Sequence, residues 1–275
     1  MNAAVTVFFL ILRVFSLYFL AVSLFGLCRR RTPEPATRLR RFAVLIAARN
    51  EESCIAGLIE SLRAQHYPPE LVDIWVLPNN CTDRTAEAAR RAGAQVLEMP
   101  ASVRSKGVAL HTAAKALLRS ARNYDAFCVF DADNEADPAF LSEMNRALDR
   151  TAIVKSRILA KNRTQAGISA CYEIYFCSAN HFLNRAREAV GLSARVIGTG
   201  FAIRRNLLEA LDGFPCRTLT EDAELYAACL CRGARIGYCE TAVTYDEEPV
   251  TWRASLVQRR RWMSGILQVC LLYTS

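Results

Sequence analysis

Polar positions are almost missing from the start of this chain and then return with a regular spacing. Residues 4–27, AVTVFFLILRVFSLYFLAVSLFGL, are predominantly apolar, and their only charge is Arg13. A helix of that length crosses the roughly 30 Å hydrocarbon core of a bilayer. A cleaved signal peptide would have a shorter apolar stretch and a small-residue cleavage site. Leu27 before Cys28 is wrong for a lipoprotein signal, so the pattern predicts a transmembrane helix. Arg29, Arg30, Arg31, Arg38, Arg40 and Arg41 follow at once, and the positive-inside rule puts everything after them in the cytoplasm. Pro33 and Pro35 mark the stretch 29–41 as a linker.

From residue 42 short apolar runs alternate with segments of helical spacing. FAVLIAA, VDIWVL, AQVLEM and AFCVF read as strands. ESCIAGLIESLRAQ, TDRTAEAARRAG and KGVALHTAAKALLRSAR read as helices, the second stopping at Gly93. Strand and helix in alternation predict an α/β domain on a mainly parallel sheet. Further on, a helix is expected to begin near Thr220, and RASLVQRRRWMSGILQV reads as a basic amphipathic helix suited to a membrane surface.

Composition narrows the function. The 275 residues are 52% hydrophobic and 23% charged, enough apolar content for a sizeable core, with a net charge of +8. The basic residues gather in CRRRTPEPATRLRR and QRRRW rather than on an aromatic-interleaved face, which argues for a membrane and against nucleic acid as the partner. The eleven cysteines, several inside apolar runs, read as reduced small hydrophobes. Cys216, Cys229, Cys231 and Cys239 lack zinc-ligand spacing, as do His66, His111 and His181.

Ligands of open α/β sheets bind beyond the carboxyl ends of the strands. ARNEE follows the first strand, PNNCTDRT the second and DADN the fourth. Each alone reads equally as turn and cap chemistry. All three together predict a site. Taken with KGVAL, GTGFAIRR, LTEDAEL and QRRRW in this order, they make residues 42–265 resemble family 2 glycosyltransferases, and within them the membrane-bound inverting synthases of the cellulose, hyaluronan or poly-N-acetylglucosamine type.

The resemblance implies the GT-A fold, a nucleotide-sugar donor, usually UDP-linked, and a divalent cation, Mg²⁺ or Mn²⁺. It makes Asp133 the cation ligand, which suits a hard cation that takes few carboxylates plus phosphate oxygens. Asp131 then faces the donor's nucleoside or sugar. Ala47, Arg49 and Glu51 match the uridine-contacting loop, and Lys106 a basic residue near the donor. Asn79 stands where many relatives have an aspartate that reads the uracil ring; its amide has a different donor and acceptor pattern. Asp222 matches the base of a Thr-Glu-Asp motif, needed because a hydroxyl is a poor nucleophile until its proton is being removed. Gln258, Arg261 and Trp262 fit Gln-x-x-Arg-Trp, with Arg261 for the leaving diphosphate and Trp262 as a stacking face for an acceptor sugar. Gly198 and Gly200 would let an acceptor-side loop approach closely. Paired carboxylates also serve glycoside hydrolases, but those need no diphosphate-binding groups.

The expected organisation is an anchor at 1–28, a basic linker at 29–41, a GT-A domain at 42–250, and at 251–275 an interfacial helix leading into a truncated membrane region. The expected function is transfer of sugar to a saccharide acceptor by an inner or plasma membrane enzyme with a cytoplasmic catalytic domain, with polysaccharide synthesis favoured. Transfer of one sugar to a lipid, or nucleotide-sugar binding without catalysis, are the alternatives.

Overall fold

The computed structural model describes residues 3–28 and 35–274. Arg29, Arg30, Arg31 and Pro33, on which much of the topology and linker reading rests, lie outside the described residues. The first helix, α1 (Ala3–Leu24), is about 33 Å long at 1.5 Å per residue. The stretch Ala3–Leu27 has the length and composition of a membrane span, with a mean hydropathy of 2.3 and none of its apolar window buried. Its end docks on the remainder of the chain. A Cβ on Gly26 would lie 2.4 Å from the carbonyl oxygen of His181, and Arg185 donates to Cys28 O at 3.0 Å.

The strands are β1 (Phe42–Ala48), β2 (Val72–Pro78), β3 (Gln95–Val96), β4 (Ala126–Asp131), β5 (Glu135–Ala136), β6 (Ile153–Ala160), β7 (Phe201–Arg204) and β8 (Ile236–Asp246). They form a sheet of order β3-β2-β1-β4-β7-β6-β8-β5. β7 runs against both its neighbours and β5 against β8, while the other strands share one direction. FAVLIAA is an unbroken apolar run because helices cover both faces of the sheet. Phe42, Val44, Ile46 and Ala48 pack with Ile55, Leu58 and Ile59 of α2 (Ile55–Arg63). Ala43 and Leu45 point the other way.

Thr85–Arg91 forms α3, and Gly93 ends it at φ +93° as expected of a helix stop. Lys106–Leu118 forms α4, whose Ala109, Leu110, Ala113 and Leu117 meet Leu45 in the second core. Ser105 caps α4 by accepting from Val108 N at 3.3 Å, which sets Lys106 at its first position. β3 is shorter than AQVLEM suggested. It is an edge strand with β2 as its neighbour, and Glu98 turns out to an ion pair with Arg90 at 2.5 Å instead of extending the ladder.

The second half holds α5 (Phe140–Ala147), α6 (Gly167–Ser178) running through a π-helical stretch 179–185 into α7 (Ala186–Ala189), α8 (Arg205–Ala210), α9 (Glu221–Cys231) and α10 (Trp252–Thr274). α10 runs past the basic amphipathic segment to Thr274, absorbing the terminal apolar run. It lies close on the start of α9, since a Cβ on Gly265 would be 2.4 Å from Thr220 Cγ2. The consequence for function is geometric. The carboxyl ends of β1, β2, β4 and β8 share one edge, and the reversed β7 brings Gly198–Gly200 to that edge by its amino end. Gly200 N donates to Val129 O at 2.8 Å.

Candidate active site

At this edge the turns are stapled to one another. Asn79 N donates to Ala48 O at 2.8 Å, which ties the exit of β2 to that of β1 beside Ala47. Asn50 takes φ +60°, a conformation asparagine tolerates. Its side chain accepts from Thr82 N at 2.8 Å, and Glu51 N donates to Thr85 Oγ1 at 2.9 Å. Arg49 is left exposed. Asn79 is 5% exposed, with its Oδ1 accepting from Asn80 Nδ2 at 3.0 Å.

Lys106 is the hub. Its Nζ lies 2.6 Å from Asp131 Oδ1 and 3.1 Å from Glu221 Oε1, and it donates to Gly198 O at 2.6 Å. Burial pushes its pKa down, but Asp131, Glu221 and Asp222 outweigh that and hold it above the usual lysine range. Gly107 makes this approach possible, as a Cβ there would sit 3.0 Å from Glu221 Cβ. Glu221 itself is raised by burial, against the lowering effect of Lys106, with Asp222 adding to the rise. Asp222 is held by two backbone donors, Gly198 N to Oδ2 at 2.7 Å and Ala223 N to Oδ1 at 2.8 Å. Lys106, Asp131 and Asp222 thus converge on the Gly198 loop.

Asp131 leaves β4 with its N–H bonded to Thr199 Oγ1 at 3.0 Å and to Asn134 Oδ1 at 3.2 Å. Asn134 Nδ2 reaches Asp133 Oδ1 at 3.3 Å and Asp246 Oδ1 at 2.6 Å, bridging the exits of β4 and β8. Burial, then the charge of Asp131, with Glu51 and Glu247 beyond, pushes Asp133 up to about 7. Burial and Asp133 likewise raise Asp246 well above the carboxylate range. Glu248 goes up to about 7 for the same two reasons, its Oε1 buried without a partner. Among the described residues no three such side chains come together as a metal cage, so the fit to a divalent cation is that of a single carboxylate, Asp133, with phosphate oxygens completing the shell.

The α10 residues join the site less directly. Gln258 Oε1 accepts from Tyr172 of α6 at 2.9 Å. Trp262 sits edge-on to Tyr172, ring centroids 6.2 Å apart, and packs against the small core of Ile158, Tyr172 and Phe176, as does Ile197, the residue before Gly198. Trp262 is half-buried against this small core. Arg261 is exposed and makes no ion pair among the described residues, so it is not brought to the carboxylates.

Sequence reasoning passed over Asp246, Glu248, Asn134, Thr199 and Lys155. The first two follow the apolar run of β8 in AVTYDEEP, the same signal that singled out DADN. Lys155 lies inside β6 with 1% exposure, and burial pushes it down to about 7 in spite of Asp246, Asp222 and Asp131. A single lysine inside a strand gives no such signal.

Residues 40–265 match the model of the family described as Glycosyltransferase like family 2. The chain belongs to that family. It is 27% identical over 252 residues to a probable glycosyltransferase, YdaM, of Bacillus subtilis, covering 87% of this chain and 58% of the relative. It is 26% identical to a beta-monoglucosyldiacylglycerol synthase of Synechocystis sp., covering 84% and 48%. The chain therefore spans about half the length of the curated relatives it matches. Among solved structures it is similar to the Pyrobaculum calidifontis mannosyltransferase PcManGT in complex with GDP-Man and Mn²⁺, with TM-score 0.69 and 22% identity over 92% of this chain and 69% of that one. Glucosyl-3-phosphoglycerate synthase of Mycobacterium tuberculosis with Mn²⁺ and UDP gives TM-score 0.57 at 22% identity, covering 84% and 78%. The family 2 chain has the GT-A fold: a mixed, mainly parallel sheet with flanking helices.

Proposed function

We propose that this chain is the catalytic part of a membrane-anchored, inverting glycosyltransferase that moves one sugar from a UDP-sugar to a lipid-borne acceptor. The observation that carries the reading is the convergence of Asp131, Lys106 and Asp222 on the Gly198 loop at the strand-exit edge of a family 2 fold. Asp222 is the base. Its two backbone hydrogen bonds fix the carboxylate plane, and each oxygen keeps a lone pair for a proton. As the acceptor hydroxyl oxygen bonds to the anomeric carbon, the bond from that carbon to the diphosphate breaks and the hydroxyl proton passes to Asp222.

Asp133 would hold the divalent cation, which neutralises diphosphate charge when bound. Lys106 and Asp131 orient the donor sugar, the loop carrying Ala47, Arg49 and Glu51 takes the nucleoside with Asn79, and exposed Arg261 is free to turn to the diphosphate. α1 anchors the enzyme in the inner or plasma membrane with the catalytic domain on the cytoplasmic side, where nucleotide sugars are found. A lipid acceptor is supported by the match to beta-monoglucosyldiacylglycerol synthases. It is also supported by the apolar side chains that α6 and α10 leave exposed, among them Ile174, Tyr175, Leu256, Val257 and Met263. The Gln258, Arg261 and Trp262 pattern supports the second reading, a saccharide acceptor and polysaccharide synthesis.

The test is Asp222→Asn, which keeps shape and hydrogen bonding but removes basicity. Single-turnover transfer is expected to fall by about 10² to 10⁴-fold, with calorimetric donor affinity unchanged. Turnover within a few-fold of wild type would remove Asp222 as the base and make Glu221 the next candidate.

A further inference from the structure

The roles above leave the buried Lys155 unused. Lys155 Nζ donates to Thr199 O at 2.8 Å, Gly200 O at 3.2 Å and Ser156 Oγ at 3.2 Å. No carboxylate lies within ion-pair distance of it among the described residues. A lysine buried on two carbonyls and a hydroxyl is costly, and a core strand position would take Leu or Met without that cost.

What it grips is the loop on which the site converges. Gly200 takes φ +60° and lies so close on β6 and β8 that a Cβ would be 2.5 Å from both Ser156 Oγ and Thr244 Oγ1. Buried acceptors need donors: Gly200 O accepts from Ser156 N at 2.9 Å, and Lys155 adds a second donor there and supplies one to Thr199 O. On the cleft side the same loop sends Gly198 N to Asp222 Oδ2, Gly198 O to Lys106 and Thr199 Oγ1 to Asp131 N. Two lysines therefore hold Gly198–Gly200 from opposite sides, Lys106 from the cleft and Lys155 from the core. The charged groups acting on Lys155 are Asp246 of β8, Asp222 of α9, Asp131 of β4 and Lys106 of α4.

We propose that Lys155 is a positioning residue for the acceptor half of the site: by donating to the Thr199 and Gly200 carbonyls it fixes the far end of the loop whose Gly198 N–H is aimed at Asp222. The kinetic part of this rests on the role of Asp222 given above; the structural part does not.

The test compares Lys155→Met, which removes the donors, with Lys155→Gln, which keeps an amide donor. Amide hydrogen exchange of segment 197–201 and single-turnover transfer are measured on the full protein, alongside calorimetric donor binding. In Lys155→Met, exchange of that segment is expected to rise at least about tenfold while β4 stays protected. Transfer should fall by about 10²-fold, the scale of a small misplacement at a reacting centre, with donor affinity within about twofold, and Lys155→Gln should recover part of both losses. Unchanged exchange with transfer within about threefold would overturn the proposal, as would a loss of donor affinity that parallels the loss of transfer. Should Lys155→Met fail to fold, Lys155→Gln is judged by the same criteria. If the wild type transfers no sugar from any donor, the glycosyltransferase reading fails, and exchange alone still decides the role of Lys155.

Discussion

Glu248 gives the most quantitative prediction, because its environment favours one protonation state. It is 4% exposed, its Oε1 has no partner, and burial together with the charge of Asp133 raises it from 4.5 to about 7. A carboxyl whose pKa is raised by folding is bound to its proton more tightly in the native state. Its contribution to stability is therefore complete below about pH 4.5 and is lost as the pH rises through about 7. At 1.36 kcal/mol per pH unit the loss is roughly 3 kcal/mol. Glu248→Gln keeps the size of the side chain and cannot ionise, so it should recover that amount at pH 8 and little at pH 4.5. For a chain of this size 3 kcal/mol corresponds to a rise in Tm of about 6–12 °C. Wild type and variant are melted in the same detergent at both pH values, by calorimetry or fluorescence. A Tm difference that is the same at both pH values, or a variant less stable at pH 8, would refute the reasoning.

Gly200→Ala combines a left-handed backbone with a collision against Ser156 and Thr244, and should cost about 2–5 kcal/mol in an unfolding measurement; a loss below about 1 kcal/mol would mean the loop can move off β6 and β8. Asp133→Asn removes a ligand charge from a site with few protein ligands, so Mn²⁺-dependent donor binding should weaken at least about tenfold in titration calorimetry. Equal affinity in wild type and variant, with and without chelator, would show that Asp133 only caps its turn.

The first half of the fold was legible because its strands are covered on both faces and read as unbroken apolar runs, with helices closed by signals as plain as Gly93. β1 and β2 begin where the text placed them, at Phe42 and Val72. The second half was not, since β7 and β5 run against their neighbours and β6 and β8 are joined with a register shift at Ser156 and Arg157, so alternation of strand and helix no longer maps the sheet. Within the site, carboxylates at strand exits were readable one by one. Their partners were not, because Lys155, Thr199 and Asn134 act through contacts made across 44 to 112 positions of chain. Asp246 and Glu248 could have been found from the acidic residues after an apolar run, whereas Trp262 could not be recognised as a partner of Tyr172 without the packing of α6 on α10.

The measurement closest to the central claim is a product analysis. Membranes containing the full protein are incubated with diacylglycerol and a panel of radiolabelled UDP- and GDP-sugars, and the products are extracted and sized, with Asp222→Asn membranes as the control. The account expects one UDP-sugar to give a lipid carrying a single sugar, and the control to give none. A labelled polymer would contradict the lipid-acceptor reading, and no labelled product from any donor would contradict the assignment as a glycosyltransferase.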